Sequence, residues 1–387
     1  MNWSKIISPR VQAIPPSGIR KFFDLASEVD NVISLGVGEP DFVTPWHIRE
    51  AAFYSLEQGD TMYTSNYGLL ELREEIANLL KRDYKLEYSP KNQILVTVGV
   101  SEALDLALRA LLKEGEEVLL PEPCYVSYEP SALLAGGKVV RIKTRAEDNF
   151  KLRAKDLREA ITPKSKVLVL CYPSNPTGAT MDKADLEEIA EVVKEHNLIV
   201  LSDEIYSRLT YEGEHTSFAT LEGMKKRTIL FNGFSKAYAM TGWRVGYVAA
   251  PEEILQAMMK IHQYTMLCAP IVSQKAALEA VRNGDKEVEK MVKSYNQRRR
   301  VIVKGLNEIG LECFKPKGSF YVFPSIKSTG LSSEEFAERL LKEEGVVVIP
   351  GNVFGESGEG FIRCSYASSL DNIYEALKRI GRFVDKL

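Results

Sequence analysis

The sequence predicts an α/β protein: a large domain with a mostly parallel central sheet flanked by helices, and a smaller α+β domain. Three observations carry this expectation. Short continuous apolar runs recur through the middle of the 387-residue chain, amphipathic segments separate several of them, and the last third changes character. A strand buried on both faces reads as an unbroken apolar run, whereas a one-sided strand alternates. Continuous runs therefore point to a parallel sheet covered by helices.

In chain order, the run 94–98 is the first such strand, and a helix is expected from Ser101 to about Leu112. The runs 118–120, 139–142, 167–170, 198–201, 228–231 and 245–248 are further strands, and Lys183 to Glu195 reads as an amphipathic helix. Beyond about residue 280 a long charged helix spans roughly Asp285 to Ile309. The strand runs 320–323, 346–349 and 361–363 follow, broken by glycine turns, and a last helix starts at Asp371.

Composition narrows the function. Hydrophobic residues make up 45% and charged residues 27%, as in a soluble globular protein. The net charge is −3, and no basic stretch runs longer than the triplet Arg298 to Arg300, which reads as the solvated face of a helix; no nucleic-acid partner is expected. Five scattered cysteines with no C-x-x-C pair suggest reduced thiols and a cytoplasmic setting. The N-terminus lacks the apolar core of a signal peptide, and no apolar run reaches membrane-spanning length. The four histidines show no ligand spacing, so no catalytic metal is expected.

Four motifs carry the chemistry. Lys236 ends the run Gly233-Phe-Ser-Lys236, after an apolar strand, with Arg244 eight positions later. An isolated buried ammonium is costly, so a lysine placed there needs an anionic or carbonyl partner. Asp203 follows the run 198–201, at the carboxyl edge where open α/β sheets bind ligands. The third motif is the turn Tyr172-Pro-Ser-Asn-Pro-Thr-Gly178, and the fourth is Phe361-Ile-Arg-Cys-Ser-Tyr-Ala367. The Gly-Val-Gly at 36–38 lacks the third glycine and the strand–helix context of a dinucleotide fingerprint.

In chain order these motifs run 172–178, Asp203, Lys236 to Arg244 and 361–367; over almost the whole chain from Gly36 they resemble those of the class I/II aminotransferases, fold-type I enzymes that depend on pyridoxal 5′-phosphate. Within that family the pattern is similar to the aspartate, aromatic and N-acetyl-diaminopimelate subgroup. The resemblance implies residues 46–280 as the cofactor-binding domain, and 1–45 with 281–387 as a small domain built from both termini. It implies Lys236 as the Schiff-base lysine and proton carrier, Asp203 as the partner of the pyridine nitrogen, and Tyr206 and Asn175 as ligands of the phenolic oxygen. Tyr125 would stack on the ring. Val100, Ser101, Ser235 and Arg244 would hold the phosphate, joined by Tyr63 from a neighbouring subunit in a homodimer. Arg363, with Gly38 and Asn175, would bind the substrate carboxylate.

The expected reaction is ping-pong amino transfer between an aromatic or aspartate-type L-amino acid and a 2-oxo acid, with 2-oxoglutarate the expected acceptor. A carbon–sulfur β-lyase of the same fold is the alternative enzyme. A non-catalytic regulatory or binding protein is the alternative of another class, disfavoured by the intact Lys236, Asp203, Arg244 and Arg363. Some aspartate-type relatives carry a lysine where this chain has Ser101, or an arginine near Gln263 to Met266, where this chain has none. Arg20 is the one candidate replacement.

Overall fold

The computed structural model describes residues 1, 3–27, 29 and 31–387. The strands are β1 (Ile33–Ser34), β2 (Ile94–Thr97), β3 (Glu117–Glu122), β4 (Lys138–Lys143), β5 (Ser165–Cys171), β6 (Ile199–Asp203), β7 (Thr228–Gly233) and β8 (Gly246–Ala249). Four more follow: β9 (Tyr321–Val322), β10 (Val346–Val347), β11 (Ile349–Pro350) and β12 (Ile362–Ser365). Each apolar run expected to be a strand contains one, within a few residues.

Seven strands form one sheet in the order β2-β8-β7-β6-β5-β3-β4. All neighbours are parallel except those of β8, which runs against both β2 and β7. Apolar clusters cover both faces: Leu95, Leu201, Ile229 and Phe231 pack beneath helices Gly99–Leu111 and Glu252–Thr265, and Leu168 and Val200 pack against helix Lys183–Glu195. Two-sided burial explains the unbroken apolar runs.

The topology gathers one edge of this sheet. The parallel strands β3, β5, β6 and β7 end there, in register at Cys171↔Asp203 and Asp203↔Phe231. Because β8 is reversed, it begins at that edge, with Gly246 opposite both Gly233 and Thr97. Tyr125, Asn175, Asp203, Lys236 and Arg244 follow or precede these strand ends, so residues far apart in sequence converge without any long loop.

The C-terminal region is built differently. Strands β11, β12 and β9 make a small antiparallel sheet, and β1 pairs in parallel with β10. Ser365 N–H donates to Leu35 O at 2.6 Å, which ties the N-terminal segment to β12. Phe22 and Leu35 share one apolar cluster with Phe320, Ile362 and Phe383. The long helix is Asp285–Glu308. Two residues of the basic triplet on it leave the solvated face that the sequence suggested: Arg299 is 0% exposed and Arg298 is also buried, while Arg300 is exposed. Arg299 donates to Pro316 O, Glu212 and Asn296, and Arg298 pairs with Asp41 at 2.7 Å. These guanidiniums offset the cost of burial by pairing with carboxylates distant in sequence, Asp41 and Glu212.

Candidate active site

A cavity of about 730 Å3 opens at the gathered edge, and its wall includes Lys236, Asp203, Tyr206, Asn175, Tyr125, Val100, Ser101, Ser235, Arg244, Gly38 and Arg363. The other two candidates lie elsewhere. Tyr63 is 83% exposed on the surface, and Arg20 is exposed on helix Gly18–Ala26, whose Ile19 is the residue that reaches the cavity.

Lys236 stands three residues beyond β7, and its Nζ donates to Gly38 O at 2.7 Å. Burial, then the positive charge of Arg363, lowers its pKa to about 8, with Glu39 opposing and Arg244 adding to the shift. An amine near 8 is far more often unprotonated at neutral pH than an ordinary lysine, which suits a nucleophile and a proton carrier.

Asp203 closes β6 and is buried. Its Oδ2 accepts from Tyr128 Oη at 2.8 Å and its Oδ1 from Ile205 N–H at 3.2 Å. Burial raises its pKa to about 6, opposed first by the Tyr128 hydrogen bond. A carboxylate held this way gains from meeting a cationic N–H, which would return the charge stabilisation that burial removes.

The anion end is formed by main chain and one arginine. Helix Gly99–Leu111 begins at the cavity, which Val100 and Ser101 in its first turn line. Gly99 has φ +73°, and a Cβ there would stand 2.5 Å from Arg244 Nη2. A Cβ on Gly246 would meet Val100 N at 2.9 Å. Only glycine lets the guanidinium and the helix N-terminus approach one another this closely, and that pairing of a cation with a helix N-terminus has the chemistry of an anion site. The helix begins at Gly99, two residues earlier than its apolar pattern indicated.

Arg363, on β12, is 2% exposed. Its Nη1 donates to Asn175 Oδ1 at 2.9 Å and its Nη2 to Gly36 O at 2.6 Å. The guanidinium carbon lies 4.5 Å from the Tyr321 ring centre and 4.9 Å from that of Phe354. Its Nε is buried without a hydrogen-bond partner. A buried, unpaired guanidinium N–H is costly, and a carboxylate would satisfy it. Tyr206 Oη meets Tyr321 Oη at 3.0 Å, and Tyr125 packs edge-on to Tyr128 with ring centres 5.6 Å apart.

Tyr128, Tyr321 and Phe354 were not singled out from the sequence. Tyr128 lies 75 residues from Asp203, and Tyr321 lies 115 residues from Tyr206. Only the fold brings them together. Nothing local in the sequence indicated that Phe354 would touch Arg363.

A lysine amine of lowered pKa, a buried carboxylate, a glycine-lined anion cradle and a half-satisfied arginine, all facing one cavity of a mostly parallel α/β sheet, define an enzyme that handles a phosphorylated aldehyde cofactor and a carboxylate-bearing substrate. The chain matches the family Aminotransferase class I and II over residues 30–380, and it belongs to that family. It is 58% identical, over 98% of both chains, to a Bacillus subtilis protein provisionally named an aminotransferase. It is 49% identical, over 97% of both chains, to an aspartate aminotransferase of Pyrococcus abyssi. The solved structure of an aromatic aminotransferase from Pyrococcus horikoshii superposes with a TM-score of 0.91 at 48% identity, covering 95% of this chain and 99% of that one. The protein is a pyridoxal-phosphate-dependent aminotransferase of fold type I.

Proposed function

We propose that the enzyme transfers the amino group of an aromatic or aspartate-type L-amino acid to a 2-oxo acid, with 2-oxoglutarate the shared acceptor. The observation that supports this reading best is the convergence of Lys236 and Arg363 on one cavity. Arg363 binds the α-carboxylate of the substrate through its unpaired Nε–H, helped by Asn175 and the main chain of Gly38. Holding that carboxylate aside leaves the Cα–H bond as the one presented for cleavage, so proton removal is favoured over decarboxylation. Lys236 takes and returns the Cα proton.

Pyridoxal phosphate, when bound, supplies the aldehyde that accepts the amino group and a ring that withdraws electrons. Asp203 holds the ring nitrogen protonated, and Tyr128 holds Asp203. Tyr206 and Asn175 bind the phenolic oxygen, and Tyr125 lies against the ring. Val100, Ser101, Ser235 and Arg244 hold the phosphate. Exposed Tyr63 completes the phosphate site of a second copy in a homodimer. The chain divides at about residues 45 and 280, with both termini in the smaller unit. Among the described residues, no helix is long and apolar enough to cross a membrane, and we place the enzyme in the cytoplasm.

Among the described residues that line the cavity, the cations are Lys236, Arg244 and Arg363, and each already has a role. Among the described residues that line the cavity, no cation remains for a side-chain carboxylate. This favours an aromatic donor over aspartate, unless a partner subunit supplies the charge.

The test is the visible absorbance of the holoenzyme during addition of single amino acids without a 2-oxo acid. Transamination predicts conversion of the cofactor to its amino form, fastest with tyrosine or phenylalanine. An unchanged cofactor band with release of pyruvate and ammonia from a cysteine conjugate would establish the β-lyase instead.

A further inference from the structure

The loop after β11 contains the run Pro350-Gly-Asn-Val-Phe354, and Phe354 packs on the guanidinium of Arg363. This loop is fastened to the end of β3. Cys124 N–H donates to Phe354 O at 2.9 Å, and Ser357 N–H donates to Glu122 Oε1 at 3.0 Å. Between them, Gly355 lies flat on the Glu122 side chain, with φ +125°; a Cβ there would be 2.1 Å from Glu122 Oε1. Only glycine adopts that conformation at low cost and leaves that space.

Glu122 is itself fixed. Its carbonyl accepts from Thr144 N–H at 2.8 Å and from Thr144 Oγ1 at 2.9 Å, and its side chain is buried. Its Oε2 lies 3.8 Å from Arg141 Nε, beyond hydrogen-bond distance. Burial raises its pKa, opposed first by the Ser357 hydrogen bond. The carboxylate therefore bears a desolvation cost for a contact that does not touch the cavity's reacting groups.

We infer that Glu122 is a positioning residue: through Ser357 and Gly355 it sets the loop 351–358, and thereby the Phe354 ring that holds Arg363 in place for the substrate carboxylate. The inference rests on the proposed role of Arg363. It predicts an effect on substrate binding that is separate from cofactor binding, since Phe354 lines no part of the anion cradle.

The test compares E122A, E122Q, G355A and R363A as holoenzymes. Glu122→Ala and Gly355→Ala are expected to raise KM for the amino donor about five- to tenfold, the scale of losing one well-set cation–π contact. The cofactor's dissociation constant and its absorbance should stay within about twofold of the parent. Glu122→Gln keeps an acceptor for Ser357 N–H and should restore KM. Unchanged KM in E122A and G355A, with a large rise in R363A, would overturn the role of Glu122 and leave that of Arg363 standing. Unchanged KM in R363A would overturn the reading on which the inference rests. A rise in E122A that Glu122→Gln does not rescue would also overturn it, because the carboxylate's charge, not its hydrogen bond, would then be responsible.

Discussion

Lys236 and Arg363 meet in one cavity, but different kinds of structure hold them. The lysine follows β7, which is paired on both sides over four residues each, deep inside the seven-stranded sheet. The arginine sits on β12, paired with β11 and β9 over two residues each. The first group is placed by main-chain ladders. The second is placed by what its side chain touches: Asn175, Gly36, Tyr321 and Phe354. Substitutions around Lys236 should therefore matter mainly when they remove a reacting group, whereas Arg363 should be sensitive to its neighbours as well.

The largest effect is expected at Lys236. Lys236→Ala removes nucleophile and proton carrier together, and turnover should fall by at least about 1,000-fold, read as product formation under saturating substrate. Full activity in that variant would break the comparison at its centre. Arg363→Ala comes next. It should raise KM for the amino donor by roughly 30- to 1,000-fold, the scale of truncating one partner of a buried charge pair, while cofactor absorbance stays normal.

Asp203→Asn separates function from stability. In the cofactor-free protein, burial holds the Asp203 pKa at about 6 against an ordinary 3.8. Between those values the folded chain keeps a proton that the unfolded chain has lost. Stability from this group therefore falls as pH rises through that window, and the penalty is complete above pH about 6. Asparagine carries no such penalty. The variant should lose activity yet, without cofactor, gain about 2–3 kcal/mol toward urea at pH 8, with the gain disappearing near pH 4.

Tyr128→Phe is the mildest change. It removes one hydrogen bond to the Asp203 carboxylate, so the Asp203 pKa should rise further and kcat fall about tenfold. The low-pH limb of the activity profile should move upward, measured as kcat against pH. An unmoved limb would mean that β6 alone fixes Asp203.

The same division explains what the sequence could reveal. Strands of the large sheet were legible because burial on both faces leaves continuous apolar runs, and Asp203 and Lys236 could be placed at their ends; Tyr125, Val100, Ser101 and Ser235 were named through the family resemblance. The reversal of β8 was not legible, since an antiparallel central strand buried on both sides has the same apolar signature as a parallel one. The expected strand at 320–323 shortens to Tyr321–Val322, because aromatic side chains pack there whether or not the backbone ladder continues. Partners such as Tyr128 for Asp203, or Phe354 for Arg363, depend on distances across the fold that no local pattern encodes. Arg298 and Arg299 show the limit clearly: a basic triplet on a charged helix looks solvated until the acceptors from distant segments are seen.

The glycines at the anion end have a consequence for how the enzyme tolerates change. Val100 and Ser101 offer main-chain N–H groups, which nearly any residue but proline could provide. Gly99 and Gly246 instead supply empty space, against Arg244 Nη2 and the Val100 nitrogen. Mutational scanning with a growth-linked readout should therefore find this site permissive at Val100 and Ser101 and intolerant at Gly99 and Gly246.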